Sequence, residues 1–347
     1  MDRYGAASGS EQLQISVVIP TRDREASVVA VVEALLADDV ADSEVLVVDD
    51  GSRDGTWAAL QRLAARDPRV VPLTAGAGKR AADVVGTTRA RGRVLVFLDD
   101  DVMPQPGLLR GHLEAHRDRD DLVVLGYMPT VVPRPATGAA FATILYASEY
   151  EGRCAVYDAD PADVLQHLWA GNMSMTRAAY DRARLAELAS FDFRHEDRET
   201  GLACAAAGLV GVFDRSLMAT HRHTRTVDQF LRDSRREGGG RAELAARRPG
   251  QAHAGAAEMA AGLPAPVAAV VRACRRPVVG RPAVAVLTLA LRLAARSARP
   301  EPAVTVAKLL RRVVQQAGML EQMARTGAGA APAEAPAEGS TAPRAAA

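Results

Sequence analysis

Three short runs constrain this chain more than any other feature. Ile15–Ile19 (ISVVI), Glu44–Val48 (EVLVV) and Val94–Leu98 (VLVFL) are apolar and largely β-branched at nearly every position. A strand that alternates apolar and polar residues covers one face of a core, whereas one that is apolar throughout needs cover on both. The segments between the runs supply that cover. Residues 24–37 place Val28, Val31, Val32 and Leu35 at helical spacing, and Asp54–Arg66 places Trp57, Leu60 and Leu63 on one face. A short strand at Val70–Leu73, a Gly-rich turn at Gly76–Gly78 and a helix to about Arg91 follow. This alternation predicts an α/β fold, a Rossmann-like and mostly parallel sheet with helices on both faces.

Each buried run is followed by a polar cluster: Thr21-Arg22-Asp23 after Pro20, Asp49-Asp50-Gly51-Ser52 and Asp99-Asp100-Asp101. Ligands of open α/β sheets bind beyond the carboxyl ends of the strands, so the clusters are expected to converge on one cleft. Three adjacent carboxylates repel one another unless a cation or donors neutralise them. A divalent ion shared between carboxylates and substrate phosphate oxygens is the usual remedy. Asp99 and Asp101, two apart on an extended backbone, aim the same way. Taken singly, each cluster also reads as a solvated turn or a helix cap.

Bulk properties exclude several classes. With 43 basic and 42 acidic residues and 4% aromatics, the chain has neither the charge nor the stacking surface of a nucleic-acid binder. Cys154, Cys204 and Cys274 are too widely spaced for a zinc motif or a disulfide framework, and read as buried apolar residues in a reducing compartment. The first fourteen residues lack the apolar core of a signal peptide. The most apolar stretch, Pro282–Leu291, is short for a membrane span and is flanked by Arg281 and Arg292. A cytoplasmic protein is expected.

The order of the motifs is more specific than any one of them. The chain reads VVIPT, VVDDGSRDGT, a Gly/Lys segment, LVFLDDD, WAGNMSM and then Phe191–Asp197, FDFRHED. Over roughly residues 14–240 this series resembles the family 2 inverting glycosyltransferases of the GT-A fold. The resemblance implies that Pro20, Thr21, Asp23, Asp49, Asp50, Lys79, Asp99 and Asp100 lie on the donor side, with Asp50 accepting from the nucleotide base and Asp100 near the ribose. It implies that Asp101 holds Mg2+ or Mn2+ against the diphosphate of a nucleotide sugar, with His221 completing that site. Gly171, Asn172 and Glu196 fall on the acceptor and sugar side, and Asp197 stands where the family's catalytic base sits.

Two departures qualify the resemblance. Gln229-Phe230-Leu231-Arg232-Asp233 lies where processive relatives carry QxxRW, with Asp233 in place of the tryptophan, which argues for transfer of one sugar rather than polymerisation. Where relatives show an Ala-Arg-Asn run the chain has Ala82-Asp83-Val84, so Lys79 or Arg80 is expected to supply the cation from the preceding turn.

The expected activity is metal-dependent, inverting, non-processive transfer from a nucleotide-diphosphate sugar to an acceptor hydroxyl on an envelope glycan, a lipid carrier or a secondary metabolite. Uridine is the expected base, with guanosine and thymidine open. A nucleotidyltransferase would need a Gly-rich signature after the first strand, where this chain reads PTRDREAS. An inactive nucleotide-sugar-binding scaffold would bind without turnover.

The expected organisation is a disordered 1–13, a catalytic domain over 14–245, a helical extension over 250–326 and a disordered, Ala/Pro-rich 327–347. In the extension, apolar faces bordered by arginine suit plain packing on the catalytic domain, a homodimer contact or peripheral contact with the inner face of an anionic membrane.

Overall fold

The computed structural model describes residues 13–38, 40, 42–190, 196–248 and 262–326. Residues 1–12 and 327–347 of the two expected disordered ends, and residues 191–195 of the FDFRHED segment, lie outside these.

Strands β1 (Ile15–Thr21), β2 (Ser43–Asp49), β3 (Val70–Thr74) and β4 (Val94–Leu98) form the parallel half of an eight-stranded sheet. Strands β5 (Val102–Pro104), β6 (Leu122–Tyr127), β7 (Asn172–Thr176) and β8 (Val210–His221) complete it, in the order β3-β2-β1-β4-β7-β6-β8-β5. Strand β7 runs antiparallel to both β4 and β6, with Leu98 opposite Asn172. The sheet is therefore mixed, because the chain inserts β7 between two strands that point the other way.

Helices α1 (Glu25–Leu36), α2 (Thr56–Arg66) and α3 (Lys79–Arg89) follow the first three strands. Val28, Val31, Val32 and Leu35 of α1 are buried, as their spacing predicts, and join Ile15, Val17, Ile19, Leu60 and Leu63 in one core. Helix α3 lies on the opposite face. A Cβ at its Gly86 would meet Val18 at 2.5 Å and Val48 at 3.1 Å, so the glycine sets how closely the helix approaches the sheet.

Helices α4 (Leu108–Ala115), α5 (Phe141–Ala159), α6 (Asp163–Gln166), α7 (Arg177–Arg182) and α8 (Glu196–Ala206) surround the second half. Helix α9 (Val227–Arg247) begins with a capping box: the Thr226 hydroxyl accepts from the Gln229 amide, and the Gln229 side chain accepts from the Thr226 amide. Gln229 is thereby a cap, and Asp233 pairs with Arg225 at 2.9 Å.

Helices α10 (Ala265–Ala273), α11 (Pro277–Ala294) and α12 (Glu301–Thr326) follow. Leu291, Ala303, Ala307, Leu310 and Val314 share a cluster with Phe141, Leu145 and Phe230, so the C-terminal helices close a core with α5 and α9. Gly238 of α9 and Gly318 of α12 mark the closest crossing, where added Cβ atoms would meet the opposite backbone at 1.8 Å and 2.0 Å. All three cysteines are free and buried.

Helix α11 corrects one expectation. It continues through Arg281 and Pro282 to reach 18 residues with a mean hydropathy of 1.4, long and apolar enough by composition to cross a membrane. Pro277 occupies the first turn, where its missing N–H costs nothing, whereas Pro282 lies inside the helix and leaves the Val278 carbonyl without its i→i−4 donor.

Candidate active site

The loops after β1, β2, β3 and β4 are stitched together at the carboxyl edge of the sheet. Asp23 adopts a left-handed backbone, φ 52°, and its carboxylate accepts from the Arg53 amide at 2.6 Å while its own amide donates to Ser52 Oγ at 2.9 Å. Asp49 accepts from the Ser52 amide at 3.0 Å. Asp50 accepts from the Gly78 amide at 3.0 Å, and Arg22 lies 3.6 Å from its other oxygen. The Thr21 hydroxyl donates to Asp100 at 2.7 Å. Asp23, Asp50 and Asp100 thus each brace a neighbouring loop, while Asp49 closes its own turn.

The fourth loop separates its three carboxylates by environment. Asp99 Oδ1 lies 2.9 Å from Lys79 Nζ. Burial pushes the Asp100 carboxyl up to about 6, against the hydrogen bond from Thr21, with the Asp101 charge adding to the rise. Asp101 is buried between Arg24 at 3.5 Å and His221 Nε2 at 3.3 Å. Burial opposes its charge, yet the His221 hydrogen bond and the His221 and Arg24 charges hold it below the usual carboxylate range. Strand β8 explains how a residue so far along the chain arrives here, since Val102 pairs with His221.

Among the described residues no three His, Cys, Asp or Glu side chains group into a metal cage. A carboxylate facing an imidazole still fits two ligands of one divalent ion, the rest being substrate and water oxygens. The buried Nδ1 of His221 makes no hydrogen bond, so the ring is oriented through Nε2, which faces Asp101.

Deeper in the cleft, Asp197 opens α8. Its carboxylate accepts from the Ala170 amide at 3.1 Å. Burial pushes its carboxyl up to about 6; Lys79 works against the rise, and Glu196 and Asp99 add to it. Lys79, Asp83, Asp99, Gly171, Glu196 and Asp197 line a common pocket of about 40 Å³, room for a few waters. Arg80 anchors the start of α8 by donating to Glu196 O at 3.2 Å and Thr200 Oγ1 at 2.8 Å.

Asn172 is placed differently from its expected role. It is buried: His112 lies 3.0 Å from its side-chain oxygen, and its amide donates to Leu217 O at 2.9 Å. Successive residues of a strand face opposite sides, so Met173 reaches the pocket and Asn172 does not. Gly171 does line the pocket. Its φ is 146°, and an added Cβ would sit 3.0 Å from Asp99 Oδ2.

Asp83 was not singled out as a site residue. Burial pushes its carboxyl up to about 7, with Lys79 opposing and Glu196 adding. Its signal in the sequence was the Lys79/Asp83 spacing of four on a helix opening at the Gly-rich turn. Tyr146 was also missed: its ring packs 4.8 Å from His221 and 4.4 Å from His223, and Trp169 donates to its hydroxyl at 2.9 Å.

A mixed sheet with covering helices, and acidic loops gathered at its carboxyl edge, defines the GT-A class of fold. A mannosyltransferase from Pyrobaculum calidifontis, solved with GDP-mannose and Mn2+, shares it, with a TM-score of 0.53 and 16% identity over 89% of this chain and 87% of that one. Residues 16–149 match the model of glycosyl transferase family 2, and this segment is similar to that family.

A dodecaprenyl-phosphate galacturonate synthase from Rhizobium johnstonii is 33% identical over 28% of this chain and 30% of its own length. A dolichol-phosphate mannosyltransferase from Pyrococcus furiosus is 29% identical over 32% of this chain and 32% of its own. An undecaprenyl-phosphate 4-deoxy-4-formamido-L-arabinose transferase from Pseudomonas aeruginosa is 36% identical over 26% and 29%. The chain thus spans about a third of the length of the curated relatives it matches.

Proposed function

We propose that this chain transfers a single sugar, with inversion, from a nucleotide-diphosphate donor to an acceptor hydroxyl. The observation that carries the reading is the placement of Asp197, a carboxylate with its pKa raised to about 6 in the same pocket as Lys79 and Asp99. A carboxylate so tuned suits removal of a proton at neutral pH. In the step, the acceptor oxygen bonds to the anomeric carbon and the carbon–phosphate-oxygen bond breaks. The electron pair leaves with the diphosphate, and the hydroxyl proton passes to Asp197.

The donor side is assigned to Pro20, Thr21, Asp23, Asp49, Asp50, Asp99 and Asp100, whose loops are cross-braced and so preorganised for a nucleotide. Lys79 offers positive charge beside Asp99. Asp101 and His221 would hold a divalent cation, Mn2+ or Mg2+, which when bound offsets charge on the departing diphosphate. Uridine remains the expected base; the GDP-mannose of the structural relative makes guanosine the first competitor.

A second reading draws on the relatives named for polyprenyl-phosphate substrates. With a lipid phosphate as acceptor the attacking oxygen is already anionic and needs no base. The family match ends at residue 149, before Asp197, so Asp197 is where the two readings part.

The test is calorimetric titration with UDP-, GDP- and dTDP-sugars, with and without Mn2+, beside Asp101→Ala. Metal-dependent binding of one donor, lost in the variant, is expected. Failure of every nucleotide sugar to bind would end the glycosyltransferase reading.

A further inference from the structure

Helix α11 is apolar on two opposite faces. On one, Val284, Leu287 and Leu291 pack into the cores formed with α12. On the other, Val278, Val286, Leu289 and Leu293 are 80%, 67%, 61% and 58% exposed. Their spacing of eight, three and four residues sets them in one stripe along the helix. A soluble surface rarely presents such a stripe without a partner.

The charge around the stripe identifies the partner. Between residues 262 and 300 there are seven arginines and no aspartate or glutamate. Arg272, Arg275 and Arg276 lie at the α10–α11 junction, and Arg296 and Arg299 just beyond the far end of α11, so basic groups bracket the apolar stripe. Arg292 spans to Asp228 on α9 at 2.7 Å, which ties the helix to the body of the protein. We propose that the exposed face of α11, with the arginines at its two ends, docks the protein onto an anionic phospholipid surface.

The helix lies in the plane of the interface. Its inner face is taken by α12, and at about 1.5 Å per residue its 18 residues just approach the thickness of the hydrocarbon core. An apolar face sunk below the headgroups, with arginines reaching the phosphates, is the arrangement such helices adopt. Docking also orients the enzyme. The turn leading into α5 is joined to the α11 end, Gly138 donating to Ser297 O at 2.9 Å, and α5 carries Tyr146 beside His221. The proposal does not rest on the donor-site reading.

The test is flotation of the full chain with vesicles of phosphatidylcholine alone, and of phosphatidylcholine and phosphatidylglycerol in equal parts. Leu289→Asp and the double variant Arg275→Glu/Arg276→Glu are compared, each checked for an unchanged thermal transition. Both alter exposed residues. The expected result is flotation with the anionic vesicles only, released by salt and by alkaline carbonate. Each variant should lower the bound fraction about tenfold or more, since one basic residue near a charged surface is worth about fivefold. Absence of flotation overturns the proposal, as does equal binding to both vesicles without effect of the arginine changes. Resistance to carbonate overturns the in-plane placement. A solution dimer that Leu289→Asp dissolves assigns the stripe to a second copy instead.

Discussion

Lys79 Nζ lies 2.9 Å from Asp99 Oδ1, at the point where the Gly-rich turn opens α3. The ammonium also faces Asp83, Asp197 and Glu196, and although burial opposes its charge, these acids hold its pKa well above the ordinary value. One cation therefore serves four carboxyl groups. Lys79→Met should raise the neighbouring carboxyls, because Lys79 acts to lower both Asp83 and Asp197. The acid limb of the transfer rate should move to higher pH, and donor affinity should fall. An unchanged pH–rate profile would show that Lys79 does not face the reacting groups.

Asp197 gives the sharpest division between readings. Its carboxyl titrates at about 6, so a role as base makes the rate climb as pH rises through that value and level off above it. Asp197→Asn should lower turnover on a hydroxyl acceptor by about 10²–10⁴ while leaving donor binding within a few-fold of wild type. A loss of less than tenfold, with the pH limb intact, would point to an acceptor that carries its own charge.

Gly171 tests the backbone. At φ 146° an alanine is strained, and its Cβ would crowd Met128 Sδ at 2.9 Å and Asp99 Oδ2 at 3.0 Å. Gly171→Ala should cost about 1–3 kcal/mol of stability, seen as a fall in thermal midpoint, and should weaken donor binding by displacing Asp99. Donor binding at wild-type strength would mean that Asp99 does not contact the nucleotide sugar.

Much of this architecture was legible because burial writes itself into strand sequence. ISVVI, EVLVV and VLVFL became β1, β2 and β4, and the four predicted apolar positions of α1 are its buried ones. The short β5 and the helix α4 were not read, since three residues give no period and α4 starts at a left-handed glycine. The order of β7, β6 and β8 could not be read either, because antiparallel insertion leaves no local trace. That is why Asn172 was assigned to the cleft although its side chain faces away. Asp101 and His221, 120 residues apart, could be paired only by resemblance, and the β5–β8 ladder supplies the physical reason.

The network that holds Asn172 predicts how stability responds to acid. Ser174 Oγ lies 2.8 Å from both His112 and His116, and His112 reaches Asn172 at 3.0 Å. Burial depresses both histidines to about 4, so they stay neutral in the fold while the unfolded chain takes up protons below about 6.5. Between those limits the unfolded state binds more protons, so each histidine makes stability fall as pH drops from 6.5 toward 4. Asp83, Asp100 and Asp197 act in the opposite sense, since their raised carboxyls take up protons in the fold first. The whole-protein curve therefore mixes both, and the histidine share has to be isolated by difference. His112→Gln keeps a neutral polar side chain at the site and removes one titration. Urea midpoints measured from pH 7 down to 4 should show the variant closing on wild type, by on the order of 2 kcal/mol, as the pH falls. A constant gap between the two curves would mean that His112 titrates alike in both states and is not held neutral by its burial.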